Sequence, residues 1–352
     1  MLVPLDRALL EGDPSALALR FDLPHGEPWG WALAQALLSA RGLARALTAG
    51  EPPGLLSLVE GELTRLRELR EKLRQHHPLA DLGVRVATEG EWAALKVLEE
   101  GGARDLAGVY RRYGRAPFVC HTAFVWNDRL EAVKRPEPAD LDALLGYEAQ
   151  KKKLARLAER FLSGKPVPPT LLYGARGSGK STAARALLFA YAERGLRFVE
   201  LFPEGLFHLP KLYEELEGLP YRFVLFLDDL AFEPQDERMA KLKSLLEGSL
   251  FARPQNTWIL ATSNRRNLVR EAWADREGPA AWDTAEELRS LADRFGVVIT
   301  FPPFDQARYL EAVALHLGRP LDEKIRAEAL RFAGEGRGYS GRTARQFAEL
   351  YR

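Results

Sequence analysis

A chain of 352 residues, 46% hydrophobic and 28% charged, has the composition of a globular protein with room for two or three domains. Lys plus Arg number 50 and Asp plus Glu 49, so a formal net charge of +1 excludes a global field of the kind that marks a nucleic-acid binder. The single cysteine, Cys120, excludes an intrachain disulfide and a thiolate metal cluster, and fits a reducing cytoplasm.

The amino-terminal stretch MLVPLDRALLEGDP mixes acid and base early, without a basic region followed by an apolar run, so no secretory signal is expected. The longest apolar runs are strand-length, and no membrane span is expected. Residues 1–135 predict a mainly helical domain. EPWGWALAQALLSARGLARAL has apolar residues at helical spacing, and GLLSLVEGELTRLRELREKLRQHH, from Gly54, is a charged amphipathic helix. GEWAALKVLEE and ARDLAGVYRRYG are shorter helices. APFVCHTAFVWN, Ala116 to Asn127, is a strand or a buried connector. KRPEPADLD, Lys134 to Asp142, carries two prolines and is read as a linker, where the main boundary is placed.

Beyond it strands and helices alternate. TLLYG, LRFVELF, RFVLFLDDL, NTWILATSN and GVVITF are short apolar strands, separated by amphipathic helices. This pattern predicts an α/β domain with a buried five-stranded parallel sheet over residues 136–303. From 304 to 352 only helices remain, which predicts a small helical lid.

Gly174 to Ser181, GARGSGKS, fits the G-x-x-x-x-G-K-[ST] phosphate loop, with a strand before it and a helix after it. Glycines let the backbone curl so that its N–H groups face phosphate oxygens, and the following helix adds the positive end of its dipole. The expected nucleotide-binding residues are Gly174, Ala175, Arg176, Gly177, Ser178, Gly179, Lys180, Ser181 and Thr182. Lys180 suits the β- and γ-phosphates and the Ser181 hydroxyl suits Mg²⁺. FVLFLDDLAF places Asp228 and Asp229 at the carboxyl end of a strand, where ligands of open α/β sheets sit. Asp228 is the expected metal holder together with Ser181. Asp229 is the expected group that orients or deprotonates water, although it is one methylene shorter than the usual Glu.

Together these motifs resemble an AAA+ ATPase. More closely, GYEAQK, FLDDLAFE, LKSLLEGSL, ATSNRRNL, DRFG, FPPFDQARYL and SGRTARQF resemble the bacterial family called domain of unknown function 815, over about Leu144 to Arg352. The resemblance implies several roles. LLGYEAQ brings Tyr147 near adenine. Asn264 is the sensor 1 residue beside the attacking water. Arg294, in LADRFG, is an arginine finger that reaches the neighbouring subunit's γ-phosphate, so a homo-oligomer with nucleotide at its interfaces is implied. Arg342 or Arg345 is the sensor 2 arginine that couples the lid to the nucleotide. The implied activity is Mg²⁺-dependent hydrolysis of ATP acting on an unknown protein client. Two alternatives stand beside it: an ATP-held switch or scaffold with little turnover, and a DNA-associated protein similar to initiators or helicase loaders.

Other features are read more plainly. Lys151, Lys152 and Lys153, with Arg156 and Arg160, make a basic helix face that is better read as a solvated face balanced by Glu148 and Glu159 than as a nucleic-acid patch. RRNLVR, Arg265 to Arg270, suits subunit contact as well as DNA. Phe207 is an aromatic pore residue of a protein-threading motor or, the favoured reading, a residue packed at a helix entrance. Residues 271–287 form an inserted loop with two tryptophans. His76 and His77 mark a surface turn.

Overall fold

The computed structural model describes residues 28–76, 87–230, 237–247, 253–264 and 294–351. The basic stretch 265–270, the two-tryptophan loop 271–287 and His77 lie outside these residues. The chain divides into two compact units, Met1–Thr122 with Gly218–Tyr221, and Ala123–Glu217 with Arg222–Arg352.

The first unit is helical among the described residues: α1 (Pro28–Leu38), α2 (Arg41–Ala49), α3 (Pro53–His76), α4 (Glu89–Glu100) and α5 (Ala103–Tyr113). The α1 sequence PWGWALAQALL is apolar on every face, and residues 29–38 are all buried, as such a helix requires. Around it pack Leu47, Leu63, Leu98 and Leu106. The Tyr110 hydroxyl donates to the Leu37 carbonyl at 2.6 Å, and Glu91, fully buried in a capping box with Thr88, accepts from Gln35 Nε2 at 2.9 Å. These buried polar groups thus have partners.

The second unit is a seven-stranded sheet of order β2-β1-β4-β5-β6-β3-β7, with β1 (Ala123–Trp126), β2 (Leu130–Ala132), β3 (Thr170–Gly174), β4 (Leu196–Leu201), β5 (Arg222–Leu227), β6 (Thr257–Ser263) and β7 (Val297–Phe301). The five expected strands are β3 to β7, and they pair in parallel throughout. The sheet is larger than the expected five strands. AFVW, which the sequence left open as strand or connector, pairs in parallel with β4 and folds back on β2 in an antiparallel hairpin. Residues 123–132, which precede the prolines of the linker, therefore belong to the α/β unit. Every residue of β6 is buried, which explains its unbroken TWILATS run.

Helices α6 (Glu148–Leu162), α7 (Lys180–Tyr191), α8 (Leu209–Leu216) and α9 (Glu237–Glu247) follow strands or precede them in the crossovers. Strand β7 stands at the sheet's edge, where Gln150 Nε2 donates to Thr300 O at 2.8 Å and Lys153 Nζ to Val298 O at 3.2 Å. Side chains of α6 thereby occupy carbonyls that an edge strand would otherwise offer to another chain. Lys151 pairs with Glu148 at 3.0 Å, whereas Glu159 is held by Arg194 at 2.6 Å and 2.8 Å.

The lid comprises α10 (Gln306–Leu317), α11 (Glu323–Gly334) and α12 (Gly341–Tyr351). Asp305, Asp322 and Ser340 cap their first turns by accepting from the amides of Arg308, Ile325 and Thr343. One aromatic anchors the sheet: Trp258 is fully buried, donates Nε1 to Thr170 Oγ1 at 3.1 Å and lies 5.9 Å from the Phe161 ring. Trp258→Ala is expected to destabilise the protein by about 3–5 kcal/mol, read as a lower denaturant midpoint in chemical unfolding.

Candidate functional site

Strand β3 ends at Gly174 with φ 153°, where a Cβ would lie 2.0 Å from Phe301 O of the neighbouring strand. Gly177 (φ 75°) and Gly179 (φ 84°) take the left-handed conformation that a side chain disfavours, and so the loop turns back to start α7 at Lys180. A Cβ at Gly179 would lie 2.4 Å from Leu144 Cδ1, and one at Gly177 2.6 Å from Ser340 Oγ. The loop is thus packed between the segment before α6 and the start of the last lid helix.

Lys180 is only 4% exposed. Its Nζ donates to Gly174 O and Ala175 O at 2.8 Å and to Asn264 Oδ1 at 2.9 Å, which uses all three ammonium donors. Burial lowers its pKa to about 8, against the opposing pull of Asp229 and Asp228, with Arg342 adding to the lowering.

Strand β5 delivers Asp228 to the same end of the sheet. Asp228 Oδ1 accepts from Ser181 Oγ at 2.6 Å, from Thr262 Oγ1 at 2.6 Å and from the Asp229 amide at 3.1 Å. The Asp229 amide also donates to Thr262 Oγ1 at 2.8 Å, and Asp229 takes the left-handed φ of 50°. Asn264 Nδ2 donates to Asp229 Oδ1. A hydrogen-bonded run therefore leads from Ser181 through Asp228, Thr262, Asp229 and Asn264 to Lys180. A serine hydroxyl beside a carboxylate is a hard-oxygen pair, a donor set that fits Mg²⁺.

Two members of this neighbourhood went unnamed in the sequence. Thr262 is an ordinary β-branched strand residue, and its signal is that it stands two positions before Asn264, on the same strand face. Glu200, on β4, has its carboxyl pKa raised by burial and by the charge of Asp228, with Arg185 opposing. Its register partner Phe226 shares a sheet face with Asp228.

The loop, the acid pair and Asn264 open onto a cavity of about 820 Å³, within the size range of small-molecule sites. Arg176, Lys180, Ser181, Asp228, Asp229 and Asn264 line its polar end, and Leu144, Leu145, Ala312 and Leu315 give it an apolar wall. Gly177, Ser178, Gly179 and Thr182 also line it, while Gly174 and Ala175 meet Lys180 through their carbonyls.

Tyr147 does not reach this cavity. Its side chain is 4% exposed, stacks 5.7 Å from Phe304 and donates its hydroxyl to Pro302 O at 2.7 Å. Its left-handed φ of 62°, just before α6, accompanies a ring taken into the core, and the wall falls to Leu144 and Leu145. Both lid arginines line the cavity. Arg342 packs on the loop, its Cβ 3.2 Å from where a Cβ of Gly177 would stand, whereas Arg345 Nε donates to Glu349 at 2.8 Å.

Arg294 is not among the cavity-lining residues. It precedes β7, whose first residue pairs with the first residue of β3 and whose last pairs with Gly174. The steps from Val297 to Phe301 alone span about 13 Å, so Arg294 sits at the opposite end of the sheet from its own phosphate loop. Phe207 is 41% exposed, with Lys241 Nζ 5.9 Å from its ring centre, so it does not pack in the core.

A parallel core of order β4-β5-β6-β3-β7, with the glycine loop after β3, acids after β5 and asparagine after β6, defines an AAA+ type P-loop nucleotide-binding fold. The chain belongs to the family described as Protein of unknown function (DUF815), which it matches over residues 120–352. No curated protein matches it. Among solved structures it is similar to the Thermotoga maritima RuvB Holliday junction branch migration motor. That match has 15% identity and a TM-score of 0.35 over 60% of this chain and 72% of that one. The Aeropyrum pernix ORC1 protein in complex with DNA matches at 18% identity and TM-score 0.39, over 60% and 64% of the two chains. DnaI matches at 22% and 0.33, over 51% and 94%. This chain's own strand order and glycine loop define the fold. Among the described residues no helix is long and apolar enough to cross a membrane.

Proposed function

We infer that the protein binds ATP with Mg²⁺ in the cytoplasm, hydrolyses it to ADP and phosphate, and couples this to motion of the lid and of neighbouring subunits on a protein client. The observation that carries this reading is the hydrogen-bonded run from Lys180 through Asn264 and Asp229 to Asp228 and Ser181, at the polar end of a cavity with an apolar wall. The apolar wall suits a base and the polar end a triphosphate. Mg²⁺, held by Ser181 and Asp228, would neutralise charge on the β- and γ-phosphates. Lys180 exchanges its loop carbonyls for phosphate oxygens. Asn264 fixes one oxygen of Asp229 and leaves the other for the attacking water. As the water proton passes toward Asp229, the water oxygen bonds to the γ-phosphorus and the bond to the bridging oxygen of ADP breaks. The lid arginine on this reading is Arg342, because it packs on the loop. Arg294 completes the site of the next subunit in a homo-oligomer. The helical unit, which ends at Thr122 rather than at the expected residue 135, is the proposed client-binding part; the nucleotide domain, expected at 136–303, then begins at Ala123, and the lid is 304–352.

The charge on Lys180 gives a pH test. Its folded pKa, about 8, lies below the 10.5 of an exposed lysine, so the unfolded chain holds more protons between these values. This group therefore makes the stability of the free protein rise across that window. ATP binding has the opposite trend, because it needs the ammonium. Affinity is expected to fall by up to about tenfold per pH unit above 8, read by equilibrium titration of ATP from pH 7 to 10. A flat profile would remove Lys180 from the phosphate contact.

A second reading, an ATP-held switch with slow turnover, is favoured by one observation: the short carboxylate of Asp229 is already engaged by the Asn264 amide. Tight ATP binding with negligible turnover at every protein concentration would establish it. A DNA-associated role has less support, since Lys153 is spent on a sheet-edge carbonyl and Lys151 on Glu148. The absence of a salt-sensitive DNA mobility shift would exclude it.

A further inference from the structure

The phosphate loop carries a cation that its motif does not require. Arg176 stands between Ala175 and Gly177, at a position the motif leaves open, and its side chain lines the cavity. It is exposed and makes no hydrogen bond or ion pair with the other described residues. Of the other loop-facing cations three have partners, and Arg342, like Arg176, has none among the described residues. Lys180 is fixed on the carbonyls of Gly174 and Ala175, immediately before Arg176. Arg342 packs against Gly177, immediately after it. Arg185 is tied to Glu137 at 2.6 Å, and Arg345 to Glu349 at 2.8 Å. The loop stretch Ala175–Gly177 is therefore bracketed by two positive groups, and an uncommitted guanidinium stands on the backbone between them. Three like charges gathered at one short stretch repel one another in the free protein and are relieved by a multiply charged anion.

We propose that Arg176 is a phosphate-contacting residue acting within its own subunit, a guanidinium on the loop itself that engages the terminal phosphate of the bound nucleotide. This rests on reading the cavity as an ATP site. It adds a same-chain arginine to the one that Arg294 brings across an interface. A planar fork of N–H donors suits the oxygens of a terminal phosphate, and charge-assisted bonds of this kind are strong. The consequence is selectivity: the group contributes to binding a triphosphate and little to binding a diphosphate. A monomer would then hold ATP in preference to ADP before any neighbour arrives, and Arg294 would act on turnover.

The test is equilibrium binding of ATP and of ADP, with Mg²⁺, to the full chain carrying Arg176→Ala or Arg176→Lys. ATP affinity is expected to fall about ten- to a hundredfold in the alanine variant while ADP affinity changes by less than about threefold, with part of the loss restored by lysine. ADP binding doubles as the check that the variant is folded. If the ratio of ATP to ADP affinity stays as in the native chain, the proposal is wrong. A native chain that binds neither nucleotide would instead overturn the ATP-site reading, and this inference with it.

Discussion

Replacing Lys180 by alanine is expected to weaken ATP binding by about a hundredfold or more and to abolish turnover, because charge-assisted bonds of about 1.5–3 kcal/mol each are lost to two phosphates. A side chain only 4% exposed donates its ammonium to two loop carbonyls and to Asn264, whose amide in turn holds Asp229. Fold stability should change little or rise, since the variant removes a cation whose charged form is opposed by burial. The check is a binding titration beside an unfolding midpoint. Lys180→Arg is not a rescue, because a rigid fork does not reproduce one point charge with three convergent acceptors. Native-like ATP affinity in the alanine variant would mean that the cavity holds something else.

Arg294→Ala should give the opposite split: ATP affinity retained within about threefold, turnover reduced by about a thousandfold or more. Retained affinity follows from position, since Arg294 is absent from the cavity lining and sits at the far end of the sheet from its own loop. Lost turnover follows if that same guanidinium meets the γ-phosphate of the next subunit. Mixing separates the two subunit roles. An Arg294→Ala chain keeps its own acids but gives its neighbour no finger. An Asp229→Asn chain gives the finger but cannot use its own site. A mixture of two separately inactive variants should recover part of the native rate. No recovery, or full activity of Arg294→Ala alone, would falsify the trans arrangement.

The nucleotide domain was legible because its chemistry is written in short contiguous strings. Buried parallel strands read as unbroken apolar runs, and the glycines of the loop are required by positive φ and close approach at Gly177 and Gly179. What stayed hidden depends on contacts between distant segments. β1 and β2 have four and three residues, too short for periodicity, and become strands through pairing with each other and with β4. Thr262 looks like any strand threonine until β5 and β6 bring its hydroxyl to Asp228. Tyr147 carries the right motif, but its ring follows the backbone into the core, against Phe301 and Phe304. The place of Phe207 before a helix suggests a packed residue, and only the packing around it shows the ring exposed. In the helical domain the periodicity locates helices, yet nothing in it names a client.

The most direct test of the central claim is ATP turnover per molecule, with Mg²⁺, measured across a wide range of concentrations of the native chain. The account predicts a specific activity that climbs with concentration as subunits complete one another's sites, and that is lost with Arg294→Ala. Tight ATP binding with flat, negligible turnover throughout would contradict it and leave a nucleotide-held switch in its place.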